Sequence, residues 1–125
     1  MSLDPLGHIK IAAGNFEKSA AFYEKLFWRL GFEKIHDTAW RTKEGFGIWI
    51  TQAKEKQTYV FQAPGLHHLC VKAEAKTLVD DIYTFLTEEG VTIFDPPQSY
   101  PEYTKDYYAV FFADPDGIKL EVAYY

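Results

Sequence analysis

A chain of 125 residues, 47% apolar, is long enough to bury one core and too short for a second independent domain. Its formal charge of −5 argues against nucleic acid or an anionic membrane as partner, because both select clustered Lys and Arg. Cys70 is the single cysteine, no stretch approaches the roughly 20 apolar residues of a membrane span, and no export signal opens the chain, so a soluble protein of the reducing cytoplasm is expected.

The first signal in chain order is the alternating run Leu6-Gly7-His8-Ile9-Lys10-Ile11, a strand. Phe16, Ala20, Tyr23, Phe27 and Leu30 then recur at three- and four-residue steps, which predicts a helix capped by Asn15 and closed by Gly31. Extended runs follow at about 32–38, 39–43 and 46–51. Residues 54–65, ending Gln62-Ala63-Pro64-Gly65, read as a linker. The order then repeats: the run Leu66-His67-His68-Leu69-Cys70-Val71, a helix on Leu78, Ile82, Phe85 and Leu86, and Gly90 placed to end it in the left-handed conformation. Extended runs at 92–94, 107–113 and 118–123 complete the second copy. The Pro- and Tyr-rich stretch 95–105 is expected to be a loop over the site, and Asp114-Pro115-Asp116-Gly117 a turn without chemistry.

His8 lies 23 residues before Gly31 and His68 lies 22 before Gly90, so strand, helix and closing glycine superimpose. The expected fold is α+β: one domain over 4–125 built of two βαβββ modules, about 4–53 and 66–125, whose curved mixed sheets surround a metal or ligand cup.

Alternation along strands sorts the side chains. Ile9 and Ile11 face the helix and leave His8, Lys10 and Ala12 on the other side. Leu69 and Val71 do the same for His68 and Cys70, with His67 assigned to the helix side or the strand edge. In the last strands Ile48 and Ile50 oppose Trp49 and Thr51, and Leu120 and Val122 oppose Glu121 and Ala123. If the two sheets close on each other, His8, Trp49, His68 and Glu121 converge. Two imidazoles and a carboxylate make a facial triad that leaves coordination positions open and suits Zn, Ni, Mn or Fe(II).

Two segments carry a family resemblance. The opening Gly7-His8-Ile9-Lys10-Ile11, with Phe22-Tyr23-Glu24-Lys25-Leu26-Phe27 and Leu30-Gly31-Phe32-Glu33, resembles the first module of the vicinal oxygen chelate superfamily, the group of glyoxalase, bleomycin-resistance and dioxygenase proteins. The close, Tyr108-Ala109-Val110-Phe111-Phe112-Ala113-Asp114-Pro115-Asp116-Gly117-Ile118-Lys119-Leu120-Glu121, resembles its second-module ending. The resemblance implies metal ligands at His8, His68 and Glu121, and in many members a fourth Glu or Gln where this chain has Trp49. In glyoxalase-type isomerases that carboxylate joins proton transfer, a role an indole does not fill. Fosfomycin-inactivating thiol transferases and extradiol dioxygenases use the His, His, Glu set alone. The former are expected to carry basic residues downstream, whereas four residues follow Glu121 and the only arginines are Arg29 and Arg41. The latter need an acid–base partner, for which Tyr103, Tyr107, Tyr108 and His36 are the candidates.

Each site residue has a plainer alternative. His8 and His68 serve as hydrogen-bonded strand residues, Glu121 pairs with Lys10, Trp49 fills the cup rather than stacking on a ligand, and Cys70 is small core rather than a thiol near substrate. In the catalytic reading Glu121 and Lys10 act at the metal, Lys10 holding a substrate carboxylate or enolate. Trp49, Thr51, Cys70, Tyr103 and Tyr107 then line the site. The leading expectation is a metal-dependent lyase, isomerase or dioxygenase acting on a small oxygenated metabolite. The rival is a metal-free protein that sequesters an aromatic ligand, and the acidic charge suits a cationic one. A homodimer is the expected assembly for either.

Overall fold

The structure is a computed structural model that describes residues 5–125; Asp4, where the domain is expected to start, lies outside them. The chain divides between Thr58 and Tyr59 into two compact units. In the first, β1 (His8–Ala13) leads into α1 (Phe16–Arg29), then β2 (Glu33–His36), β3 (Ala39–Arg41) and β4 (Gly47–Gln52), with sheet order β1-β4-β3-β2. In the second, β5 (Leu69–Lys72) leads into α2 (Lys76–Glu88), then β6 (Ile93–Ser99), β7 (Tyr108–Ala113) and β8 (Lys119–Tyr124), with order β5-β8-β7-β6. Each sheet pairs its first and last strands parallel and the rest antiparallel, so the α+β fold and its internal repeat are present as expected.

The helices end alike because their sequences do. Each closing glycine takes a left-handed φ, +82° at Gly31 and +71° at Gly90, where a Cβ would be strained. The next amide returns to the helix, Phe32 N to the Phe27 carbonyl at 2.9 Å and Val91 N to the Leu86 carbonyl at 3.0 Å. Phe32 also stacks on Phe27, with centroids 4.7 Å apart. The helix starts differ: the Asn15 carboxamide accepts from Lys18 N at 3.1 Å, whereas Ala75 offers α2 no side-chain cap.

Tyr23, Leu26 and Phe27 of α1 are buried, as are Ile11, Trp40, Ile48 and Ile50 of its sheet. Val79, Ile82, Phe85 and Leu86 of α2 are buried likewise, with Val110, Phe112, Leu120 and Val122 of the second sheet. Burying a large apolar side chain contributes roughly 1.5–3 kcal/mol, so each face of this kind anchors its unit. Within α1 the buried stripe runs through Ser19 and Leu26 as well as Tyr23 and Phe27, while Phe16, Ala20 and Leu30 are half-buried beside it.

One expected element is revised. The stretch 95–105 is not wholly a loop, because β6 continues through Pro96 and Pro97 to Ser99. Proline lacks the N–H that an inner strand needs, but β6 is an edge strand, and its pairing with β7 slips between Asp95 and Gln98 where the prolines sit. The Asp114 turn is structural, as expected: its buried carboxylate accepts from Asp116 N at 2.8 Å and Ile118 N at 2.9 Å.

Candidate functional site

The two parallel ladders bear out the repeat residue by residue. Lys10 pairs with Trp49 in the first unit, and Cys70 pairs with Glu121 in the second. His8 pairs with Gly47, and the β5–β8 offset carried one residue back sets His68 beside Lys119. Trp49 therefore stands at the register position that Glu121 holds in the other copy, and Gly47 at that of Lys119.

On the helix-free face of the first sheet, His8 and Lys10 are exposed while Trp49 and Thr51 are half-buried. The Trp49 ring lies 6.1 Å from the His8 ring and 4.6 Å, edge-on, from His36. His36 is itself held by Thr38, whose amide and hydroxyl approach its Nδ1 at 3.3 and 3.0 Å. Gly47 is what lets His8 and Trp49 close together: a Cβ there would stand 3.2 Å from the His8 Cβ and 3.4 Å from the Trp49 indole nitrogen. Trp49 thus packs on histidines. The three tryptophans take three settings: Trp40 is core, Trp49 packs on imidazoles, and Trp28 is 76% exposed.

The helix-free face of the second sheet bears a cleft of about 440 Å³. Glu121, only 3% exposed, sits in its wall. Glu121 Oε1 lies 3.2 Å from His68 Nε2, and Oε2 accepts a short hydrogen bond from the Tyr107 hydroxyl. Within its own unit the carboxylate's partners are thus His68 and Tyr107. Tyr103 and Tyr107 both line the cleft, where Tyr103 stacks on Tyr100 at 5.2 Å and meets Tyr107 edge-on at 5.1 Å. Burial, and then the hydrogen bond to Glu121, push the Tyr107 hydroxyl well above the usual phenol range, so it is a donor at neutral pH and not a base.

Cys70 packs under the cleft rather than lining it, against Ala109, Phe111 and Ala123. Burial, reinforced by the Glu121 charge, pushes its thiol up to about 12, which leaves it protonated at neutral pH and a poor thiolate ligand.

One expected placement is narrowed and one corrected. Of the helix side and the strand edge expected for His67, the helix side is not taken: His67 lies just ahead of the edge strand β5 and lines the cleft, with its Nδ1 2.8 Å from His68 Nδ1. Alternation did not settle its side because β5 begins at Leu69, after both histidines, so the two-residue period does not extend to them. Tyr108, a candidate acid–base partner, donates instead to Asp80 of α2 at 2.7 Å and is committed to the helix side. Sequence reasoning also missed Lys119, Asp95 and Phe111 as cleft residues. The signal was present for Lys119, which shares the Glu121 face two residues away; Asp95 was hidden by the reading of its stretch as loop.

The His67–His68 contact joins nitrogens of the same kind, so one donates and the other accepts. When His68 Nε2–H faces Glu121, His67 carries the shared proton; when His68 Nε2 offers its lone pair, the proton is on His68 and His67 accepts. His67 and Tyr107 thereby fix the orientation of the two side chains that meet at 3.2 Å. Metal bonds of about 2.0–2.2 Å leave neighbouring ligands about 3 Å apart, so the pair has the spacing of two donors to one divalent ion. Within either unit, no group of three or more His, Cys, Asp or Glu side chains among the described residues is placed so that together they could hold a metal ion. Nor, among those residues, is any helix long and apolar enough to cross a membrane.

Known proteins resemble this chain in sequence and in fold. The chain is 31% identical over 122 residues to the protein YqjT of Bacillus subtilis (strain 168), covering 92% of this chain and 94% of that one. It is 27% identical over 121 residues to the metallothiol transferase FosB of Lysinibacillus sphaericus (strain C3-41), covering 97% and 82%. The solved structure of a glyoxalase/dioxygenase from Nostoc punctiforme matches with a TM-score of 0.78 at 17% identity, over 99% of this chain and 96% of that one, a likeness of fold. Residues 5–122 match the Glyoxalase/Bleomycin resistance protein/Dioxygenase superfamily, and with the repeat, the ladder register and the His68–Glu121 pair in view, the chain belongs to that family.

Proposed function

We propose that the protein is a metal-dependent enzyme of lyase, isomerase or dioxygenase type acting on a small oxygenated metabolite. The observation that carries this reading is the His68–Glu121 pair at 3.2 Å in the wall of a cleft, with each member oriented from behind by a further side chain. His68 and Glu121 would hold the ion. When bound, a divalent ion supplies Lewis acidity to substrate oxygens. Tyr107 holds Oε2 of Glu121 and leaves Oε1 directed at His68, and His67 would accept a hydrogen bond from Nδ1–H of His68, leaving Nε2 its lone pair for the ion. Tyr100, Tyr103 and Phe111 line the cleft with ring surface that excludes water from a bound ligand. The metallothiol transferase relative supports a metal-centred reading. Trp49, in place of a fourth ligand, directs it away from glyoxalase-type isomerisation.

The test is metal content per chain by elemental analysis on protein purified without an affinity-metal column, with His68→Ala and Glu121→Gln beside it. Close to one ion per chain is expected, lost in both variants. No ion after supplying Zn, Ni, Mn and Fe(II) in turn would refute the proposal.

A further inference from the structure

Lys119 occupies the position where the first copy of the repeat has glycine, and it brings a positive charge into the cleft wall. Its Nζ sits 4.7 Å from the centre of the Phe111 ring and 5.2 Å from that of Phe61. No carboxylate pairs with it among the described residues. Ring faces hold an ammonium in place while satisfying its charge only in part, and Lys has three N–H donors to offer. Lys119 and Glu121 point to the same side of β8, roughly 7 Å apart along the strand. Between and beside them the wall is aromatic: Phe111 pairs with Glu121 across the ladder, and Tyr100 lies edge-on to Phe111 at 5.7 Å.

We infer that this cleft takes a small aromatic acid, with its carboxylate or equivalent oxyanion on Lys119, its ring against Phe111 and Tyr100, and an oxygen function directed at the His68–Glu121 pair. Only the placement of the oxygen end rests on the metal reading; the anion subsite stands on Lys119 itself. Charge makes the two ends interdependent. With its histidines neutral the cleft holds Asp95 and Glu121 against Lys119, a formal −1, and a divalent ion converts this to +1. An anion is therefore admitted more readily after the ion than before it.

Three probes that share one ring test the subsite: 3-hydroxybenzoate, 3-hydroxybenzamide and 3-hydroxybenzylamine, titrated calorimetrically into wild type, Lys119→Gln and Lys119→Arg. Zinc affinity is measured first on each protein. The zinc-loaded wild type should bind the benzoate about tenfold more tightly than the amide, as a charge-assisted hydrogen bond in a partly open site provides. Lys119→Gln should bring the two within about twofold, and Lys119→Arg should keep the preference. A benzoate preference that survives in Lys119→Gln overturns the inference, as does a wild type that binds the amide or the amine equally well or binds no benzoate. If zinc fails to bind the wild type, the metal reading fails separately, and the benzoate-to-amide ratio on metal-free protein decides the Lys119 subsite.

Discussion

Cys70 and Tyr107 both hold their protons more tightly in the folded chain than out of it, because burial disfavours their anions and Glu121 adds repulsion or a hydrogen bond. The unfolded chain releases those protons at lower pH than the folded one. The stabilisation is therefore complete below pH 9 and is lost as pH rises from there toward 12. Thermal midpoints of metal-free protein should fall from pH 9 upward, and the Cys70→Ala profile should be flatter over the same range. A wild-type profile no steeper than that of Cys70→Ala would contradict the assignment. Glu121 could be singled out in the sequence because it lies within β8, where alternation applies, and His68 because the repeat matches it to His8, whereas Tyr107, just ahead of β7, entered only as one of several candidate tyrosines. His67 was not singled out, since its role comes from a contact made just ahead of the strand, where no periodicity applies. The depth of Glu121 was hidden too: its burial depends on Tyr107 and His68 arriving from outside its own strand.

The helices follow from local chemistry at both ends, and their difference is testable. Ala75 has extended backbone angles, φ −153° and ψ 155°, as an N-cap requires, but no side-chain acceptor, and the first turn of α2 has no acidic residue. An Ala75→Asp substitution should supply an acceptor for an unpaired first-turn amide and complement the helix dipole, stabilising the protein by about 1 kcal/mol. Chemical denaturation would measure this; no gain, or a loss, would mean that tertiary packing leaves the cap unused. Both helices and their glycine stops were readable from spacing, because capping and the 3.6-residue period are local. The passage of β6 through Pro96-Pro97 was not, because what excuses proline there is the strand's place at the sheet edge, a non-local fact.

Each unit buries its own core between one helix and one face of one sheet, and its other sheet face carries the candidate chemistry. The repeat revealed this organisation in the sequence, since duplicated spacing reports duplicated structure; assembly leaves no such periodic mark. A homodimer is the proposed state, and light scattering coupled to size exclusion should return about twice the chain mass of 14.4 kDa. A single-chain mass at tens of micromolar would dismiss it. The three tryptophans also make the protein its own optical probe. Trp28 is in water, Trp40 is sealed in apolar core, and Trp49 lies against two imidazoles. Their emission should separate into a red-shifted, a blue-shifted and a quenchable component. Because only Trp49 touches His8, a Trp28→Phe protein would report an event at that histidine as a change in intensity with little shift in wavelength.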